Sequence, residues 1–349
     1  MTDCVIIGGG VIGLSIAREL AGRGLRVEVL ARERGRDTAS WAAAGIFPPA
    51  PADAAASPGD RLTAWSDALH RHWAEELREE TGIDTELRRC GGLHVGASDA
   101  GLERLAATAE AWRQRGARCD WLTAAEIRAR EPALTPAIET GGIRAGFFLP
   151  DEMSLRPPRH LEALLASCRQ RGVTVTPAEV RGIEQRSGAV AGVVTDAGVV
   201  RASAYCFAAG AWSGEVAASL GLALETRPIR GQIVLLRLPR QVLGRVVNFG
   251  IDYLVPRDDG RLLVGSTIED AGFAATTTPE AVARLLDVAR RLLGALPEAT
   301  VEQAWAGLRP GSVDGLPTIG RIPGFDNAFI AAGHFRAGLH QSTGTAVLV

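Results

Sequence analysis

Hydrophobic and polar positions alternate in three distinct ways along this chain. Residues 3–8 (DCVIIG) are a short apolar run, the pattern of a strand buried on both faces of a parallel sheet. From 11 to 23 the period becomes helical, with Ile12, Ile16 and Leu20 on one face. Residues 26–30 (RVEVL) return to a strand pattern, so the chain opens with strand, helix and strand, the order of a right-handed βαβ crossover.

Further on, helical spacing predicts helices over 61–81, 99–116, 123–131, 157–171 and 279–294. Thr123 with Glu126 three residues later makes a capping box, and Pro157 sits in a first turn. Strands are expected at 143–148, 173–176, 205–209 and 328–332, and a meander of short strands over 180–202. Residues 230–237, 246–249, 254–257 and 262–266 read as an antiparallel sheet, its last two strands joined by Asp258-Asp259-Gly260. Pro- and Ala-rich residues 48–58 read as a surface loop. A last helix is expected from about Ser342, cut short by the end of the chain.

The fold class that follows is α/β: a dinucleotide-binding, Rossmann-type domain assembled from discontinuous segments, plus a second domain with an antiparallel sheet inserted between them. The boundaries expected are 1–85, 150–225 and 305–349 for the first, and 86–149 and 226–304 for the second. A length of 349 residues accommodates two such cores.

Composition narrows the chemistry. A formal net charge of −2 gives no long-range pull toward nucleic acid or anionic lipid. All 38 basic residues are arginine, which removes a catalytic lysine, a Schiff base and a P-loop, and leaves anion recognition to guanidinium forks and backbone N–H groups. Cys4, Cys90, Cys119, Cys168 and Cys206 are scattered, odd in number and without a C-x-x-C, the usage of reduced thiols in a cytoplasmic protein. No signal peptide is expected ahead of the first strand, and no apolar run reaches the ~20 residues that span a bilayer. His70 and His72 lie two apart on a helix and face different sides; with no third ligand they read as surface residues, and no metal is expected. Glu79 and Glu80 read as a solvated face.

Gly8-Gly9-Gly10-Val11-Ile12-Gly13 is G-x-G-x-x-G between a strand and a helix, the context that gives this motif its meaning. Gly8 permits the turn, Gly10 lets a pyrophosphate approach the backbone, and Gly13 lets the helix pack close to the strand. The helix N-terminus then directs unpaired N–H groups at phosphate. The acidic residue expected about 20 positions on, for ribose hydroxyls, falls at Ala31. Either Glu33 bends back or Arg32 and backbone hold the ribose.

The motif and five further blocks resemble the glycine oxidase and D-amino acid oxidase family of flavoproteins. These are Ala39-Ser40-Trp41-Ala42-Ala43-Ala44-Gly45, Ala208-Ala209-Gly210-Ala211-Trp212-Ser213-Gly214, Arg230-Gly231-Gln232, Trp305-Ala306-Gly307-Leu308-Arg309-Pro310, and Asp314-Gly315-Leu316-Pro317-Thr318-Ile319-Gly320 continued by Gly333-His334-Phe335-Arg336-Ala337-Gly338. Residues 50–140 match only generically. The resemblance implies FAD, contacted by Gly8, Gly10, Val11, Ile12, Gly13, Arg32, Ser40, Ala43, Ala44, Gly45, Val180, Ala209, Gly210, Trp212, Gly333, His334, Phe335, Arg336, Ala337 and Gly338. A strand-core role fits Val180 equally well. Related sarcosine oxidases attach flavin to a cysteine near the C-terminus; the last one here is Cys206, so a non-covalent cofactor is implied. Those relatives also activate oxygen with a lysine, so Arg336, His334 or the substrate amine would have to supply that positive charge.

By the same resemblance Arg309 binds a substrate carboxylate, Tyr253 donates its hydroxyl to it, Arg336 lies near substrate and flavin, and Ile268 shapes the pocket wall. A core or interface role remains open for Tyr253. The implied reaction is oxidation of glycine, sarcosine or a small D-amino acid by hydride transfer to flavin, with imine hydrolysis, ammonia release and peroxide from oxygen, in supply of the thiamine thiazole ring. A homo-oligomer is compatible with the family. Two alternatives are a dehydrogenase using an acceptor other than oxygen and a flavin-dependent tRNA-modification module. The charge balance and the lack of an aromatic–basic stripe argue against the second.

Overall fold

The computed structural model describes residues 2–32, 38–52, 57–296 and 298–349. Among these, two large sheets carry the molecule. The six-stranded sheet runs, in spatial order, Thr318–Arg321, Ala328–Ala332, Ala202–Phe207, Thr2–Ile7, Val27–Ala31 and Thr174–Pro177. Its pairings are parallel except that of Thr318–Arg321 with Ala328–Ala332. Thr2–Ile7 is flanked by the next strand in sequence, Val27–Ala31, on one side and by the much later Ala202–Phe207 on the other, so the strand order reverses at this strand. In open α/β sheets that reversal opens a ligand crevice at the carboxyl end of the strands.

Both faces of this sheet are covered, which explains its unbroken apolar runs. On one face Ile6, Val27 and Val29 pack with Leu14 and Ile16 of helix Val11–Gly22, Trp73 and Leu77 of Pro58–Thr81, Leu161 and Leu164 of Pro157–Gln170, and Leu339 of Gly338–Leu348. On the other, Val5, Tyr205 and Phe207 pack with Val190 and Val193 of a three-stranded meander, Val180–Arg186, Ala189–Thr195 and Gly198–Val200.

The eight-stranded sheet runs Thr300–Gly311, Arg227–Arg237, Arg261–Gly265, Asp252–Pro256, Val246–Phe249, Gly92–Gly96, Ala145–Leu149 and Asp120–Thr123. The four strands expected to form an antiparallel sheet pair antiparallel with one another, and the one parallel pairing joins Val246–Phe249 to Gly92–Gly96. Its strands alternate cleanly. Leu93, Val95, Val234, Leu236, Val247, Leu254 and Val264 face helix Pro279–Leu293, which contributes Leu285, Val288, Leu292 and Leu293. Ile233, Val246, Tyr253, Val255 and Trp305 face the other way, against Trp41, Ala42 and Ala44. Thr300–Gly311 pairs along its length with Arg227–Arg237, so the boundary expected at 305 falls inside one strand of this sheet.

Three local readings are corrected. His70 is not a surface residue: it is 1% exposed and its Nε2 lies 3.0 Å and 2.9 Å from the carbonyls of Leu339 and His340. The helix bearing it turns this side toward the C-terminal helix, while His72 points to solvent and reaches Glu76 at 3.0 Å. Glu80 is not a solvated charge, because it accepts from Arg171, from Arg18 at 3.2 Å and from Ser167 Oγ at 2.5 Å. The last helix begins at Gly338 rather than near Ser342, since residues 338–341 continue the turn that starts at Gly333.

Candidate active site

Where the two sheets meet lies a cavity of about 1290 Å³. It exceeds the roughly 300–1,000 Å³ of ordinary small-molecule pockets, as a cleft for a long cofactor plus a substrate must. Its floor is the carboxyl end of Thr2–Ile7. Gly8 has φ +120°, and a Cβ there would lie 2.2 Å from the Ala208 carbonyl oxygen. Gly9 lies against Ala31, with 2.7 Å from its would-be Cβ to that methyl. Gly10 lies under Ser40, whose Oγ would be 3.1 Å from a side chain at that position. The Val11 N–H at the start of the helix donates to Ser40 Oγ at 2.9 Å. The bare backbone, the helix N-terminus and this hydroxyl make a cradle shaped and polarised for a pyrophosphate.

Of the residues expected at a cofactor, Gly8, Gly10, Val11, Ile12, Arg32, Ser40, Ala43, Ala44, Gly45, Val180, Ala209, Gly210, Trp212 and the whole Gly333–Gly338 turn line this cavity. Gly13 stands behind it: a Cβ there would be 1.9 Å from the Gly8 carbonyl oxygen, so its part is helix–strand packing. Ala31 carries no carboxylate at the end of its strand, and Glu33 lies outside the described residues. Instead the Arg32 guanidinium sits 4.1 Å over the Trp212 ring, with both residues on the cavity wall. That stack joins the end of Val27–Ala31 to the 208–214 block, a link the sequence did not signal.

The opposite wall is the second sheet. Gly333 (φ +77°) and Phe335 (φ +46°) bend the chain into the left-handed region, and the Phe335 N–H donates to the Pro310 carbonyl at 3.0 Å. A non-glycine residue so placed costs of order 1–3 kcal/mol, held by its surroundings. Arg336, exposed at this turn, and half-buried Arg309 both border the cavity. The Arg309 guanidinium donates to Ser266 Oγ at 2.9 Å and to the Thr267 carbonyl at 3.1 Å. Neither partner is charged, so its positive charge is left for a ligand. Burial pushes this guanidinium below its usual range; adjacent Tyr253 opposes that and Arg336 adds to it. Neighbouring Arg230, by contrast, is committed to Glu269.

Two glycines that sequence reasoning passed over make room for this pair. A Cβ on Gly231 would fall 2.2 Å from Arg309 Nη1, and one on Gly265 would fall 2.4 Å from the Tyr253 ring. Each side chain lies flat across a strand because the strand carries nothing there. Gly231 stood inside the quoted Arg230-Gly231-Gln232 block, but only the strand register explains it. Ile268, expected at the pocket wall, lies past the end of strand Arg261–Gly265, is 46% exposed and is not among the residues that line the cavity.

The profile of the family described as DAO, FAD dependent oxidoreductase, matches residues 3–349. The chain belongs to this family. A glycine oxidase of Pseudomonas aeruginosa is 37% identical over 339 residues, covering 96% of this chain and 90% of that one. The crystal structure of glycine oxidase from Geobacillus kaustophilus superposes with a TM-score of 0.92 at 32% identity, over 99% of this chain and 92% of that chain. That of glycine oxidase from Bacillus cereus gives a TM-score of 0.92 at 29% identity, over 99% and 93%. As a member of the DAO family this chain is an FAD-dependent oxidoreductase, and the glycine cradle above is the part of the cavity whose chemistry fits that cofactor. No helix among the described residues is long and apolar enough to cross a membrane.

Proposed function

We propose that this enzyme oxidises the carbon–nitrogen bond of glycine, or of a comparably small amino acid, with oxygen as the final electron acceptor and the thiamine thiazole route as its destination. The observation that carries the reading is Arg309: a half-buried guanidinium on the cavity wall, hydrogen-bonded among the described residues only to uncharged groups and set beside the Tyr253 hydroxyl. An amino acid carboxylate answers that arrangement with two parallel hydrogen bonds. Bound FAD supplies the two-electron oxidant.

The protein's own residues then orient and exclude. Arg309 and Tyr253 would fix the carboxylate and so direct the α-carbon, and Arg336 would add positive charge at the cavity mouth. Trp41 and Trp305, packed edge to face at 5.3 Å, close the wall against water, with Trp305 Nε1 donating to the Ala42 carbonyl at 3.2 Å. Oxidation of a neutral amine needs no strong protein base, because the nitrogen lone pair forms the imine as the α-hydrogen leaves with its electrons; catalysis is orientation and electrostatics. We assign cofactor contact to the cavity-lining residues of the glycine motif and the 39–45, 208–214 and 333–338 blocks, with the dinucleotide lobe built from 1–85, 150–225 and the chain that follows the strand Thr300–Gly311.

The test is anaerobic titration of the purified yellow protein with glycine, sarcosine and D-alanine. Bleaching of the flavin spectrum by glycine, followed by stoichiometric peroxide on admitting air, is the expected result. Bleaching without peroxide would transfer the activity to a dehydrogenase, and no bleaching by any of the three would end the reading.

A further inference from the structure

On the same face of the eight-stranded sheet as Tyr253 lies a second polar group that the site described above does not use. Strand register sets Tyr253 opposite Asn248, Asn248 opposite His94 and His94 opposite Phe147, so these side chains share one face in a single row. Glu152 reaches into the row from the adjoining turn. Its side chain is 1% exposed; Oε2 lies 3.1 Å from His94 Nε2 and Oε1 accepts from Asn248 Nδ2 at 3.1 Å. The His94 ring stacks on Phe147 with centroids 4.5 Å apart and planes 9° apart. Room for the carboxylate comes from Gly92, where a Cβ would fall 2.1 Å from Oε1. Here too a polar group lies over a glycine gap, as Arg309 lies over Gly231 and Tyr253 over Gly265. His94, Glu152 and Asn248 all border the large cavity.

We propose that His94, Asn248 and Glu152 form a distal subsite of the substrate pocket, one that takes the cationic or hydrogen-bond-donating end of a longer amino acid side chain. The proposal rests on Arg309 and Tyr253 holding the carboxylate. Two strand spacings of 4.7–4.9 Å put Tyr253 and His94 about 9–10 Å apart along the row. The Tyr253 ring leans over Gly265, away from His94, so glycine anchored at Arg309 does not reach the cluster. A long side chain such as that of lysine or arginine would extend from the anchor toward it.

Polarity decides which chemistry fits. Oε1 accepts from Asn248 Nδ2, and His94 Nε2 lies within hydrogen-bond distance of both Glu152 Oε2 and, at 3.2 Å, Asn248 Nδ2, so the three side chains form one connected polar cluster. The only hydrogen-bond partners of the Glu152 carboxylate among the described residues are these two side chains; no arginine neutralises it. A buried carboxylate at the cavity, with only an amide and an imidazole beside it, favours an ammonium, guanidinium or amide tail and rejects a carboxylate or a purely apolar one.

The experiment compares D-lysine with D-norleucine, which has the same unbranched reach without the ammonium, and with glycine, by anaerobic flavin reduction of the holoenzyme. The expected kcat/KM for D-lysine exceeds that for D-norleucine at least about tenfold, the scale of one hydrogen bond to a charged group. In Glu152→Gln the lysine-to-norleucine ratio should fall toward one, mainly through KM for D-lysine, and in Asn248→Asp it should rise. D-norleucine matching or beating D-lysine in the wild-type enzyme overturns the proposal even if neither variant folds, as does a Glu152→Gln enzyme that keeps the wild-type ratio. Reduction by glycine with no preference for the donor tail ends this inference alone; a protein that no amine reduces ends the parent reading too.

Discussion

Replacing Gly231 by alanine is a one-carbon change on a strand, yet it should disable the carboxylate anchor. The new Cβ would lie 2.2 Å from Arg309 Nη1 and 2.4 Å from both Cζ and Nη2, where ordinary contact begins at 3.4 Å. The guanidinium must therefore retreat by at least 3.4 − 2.2 = 1.2 Å at Nη1. It cannot do so and keep its bonds to Ser266 Oγ at 2.9 Å and the Thr267 carbonyl at 3.1 Å. A displacement of about 1 Å in a positioning group costs on the order of 100-fold in rate, equivalent to about 2.7 kcal/mol of transition-state binding. Loss of one charge-assisted hydrogen bond would lower folding stability by about 1.5–3 kcal/mol at most. The variant should remain folded and yellow, because Gly231 lies on the substrate sheet, away from the glycine cradle. The assay is anaerobic flavin reduction against glycine concentration: KM should rise tenfold to a hundredfold while the oxidised spectrum stays that of the wild type. A Gly231→Ala enzyme with KM and kcat within twofold of wild type would refute the claim that this gap sets the position of Arg309.

Three further outcomes follow from the same geometry. Arg309→Lys keeps the charge but loses the planar fork, so kcat/KM for glycine should drop roughly tenfold to a hundredfold in steady-state peroxide assays, consistent with about 1.5–3 kcal/mol for one charged hydrogen bond. Gly8→Ala puts a methyl 2.2 Å from the Ala208 carbonyl oxygen at φ +120°, a backbone that L-residues avoid; it should purify with little flavin absorbance and a lowered Tm. His160 is 1% exposed, and both ring nitrogens lack a hydrogen-bond partner among the described residues. Burial, with Arg18 nearby, pushes it down from 6.5 to about 4, and the His70 ring stands 5.9 Å away. The unfolded chain therefore binds the proton more readily between those values. The stability from the neutral ring is complete above pH 6.5 and is lost as pH falls toward 4, by about 3 kcal/mol in all. Thermal melts between pH 7.5 and 5 should show that decline, and His160→Phe should make it shallower, leaving the share of buried His70 and His334, which burial also pushes down.

How much of this was legible in the sequence depends on the range of the interaction concerned. The glycine motif, the strand before it and the helix after it are local, and their pattern placed the cradle without coordinates. The blocks at 39–45, 208–214 and 333–338 are distant in sequence; only the resemblance named them together, and in the structure all three line the same cavity. Patterning failed where burial came from a far segment. His70 looked polar and exposed on its own helix, yet the residues that cover it are Leu339 and His340, some 270 positions on. Glu80 was misjudged for the same reason, its partners being Arg18, Ser167 and Arg171. The least legible feature was the role of Gly92, Gly231 and Gly265. In a strand, glycine weakens packing and lowers β-propensity, so each taken alone reads as a local defect. The register gives the gaps their sense. Each one accepts a polar side chain from a neighbouring strand or turn: Glu152 over Gly92, Arg309 over Gly231, Tyr253 over Gly265. A sheet face that packed tightly with β-branched residues at those positions would be more stable and would have nowhere to lay a charged group. The same three omissions that weaken the sheet thus set where its charges stand, and with them the length and polarity of the molecule that fits beneath it.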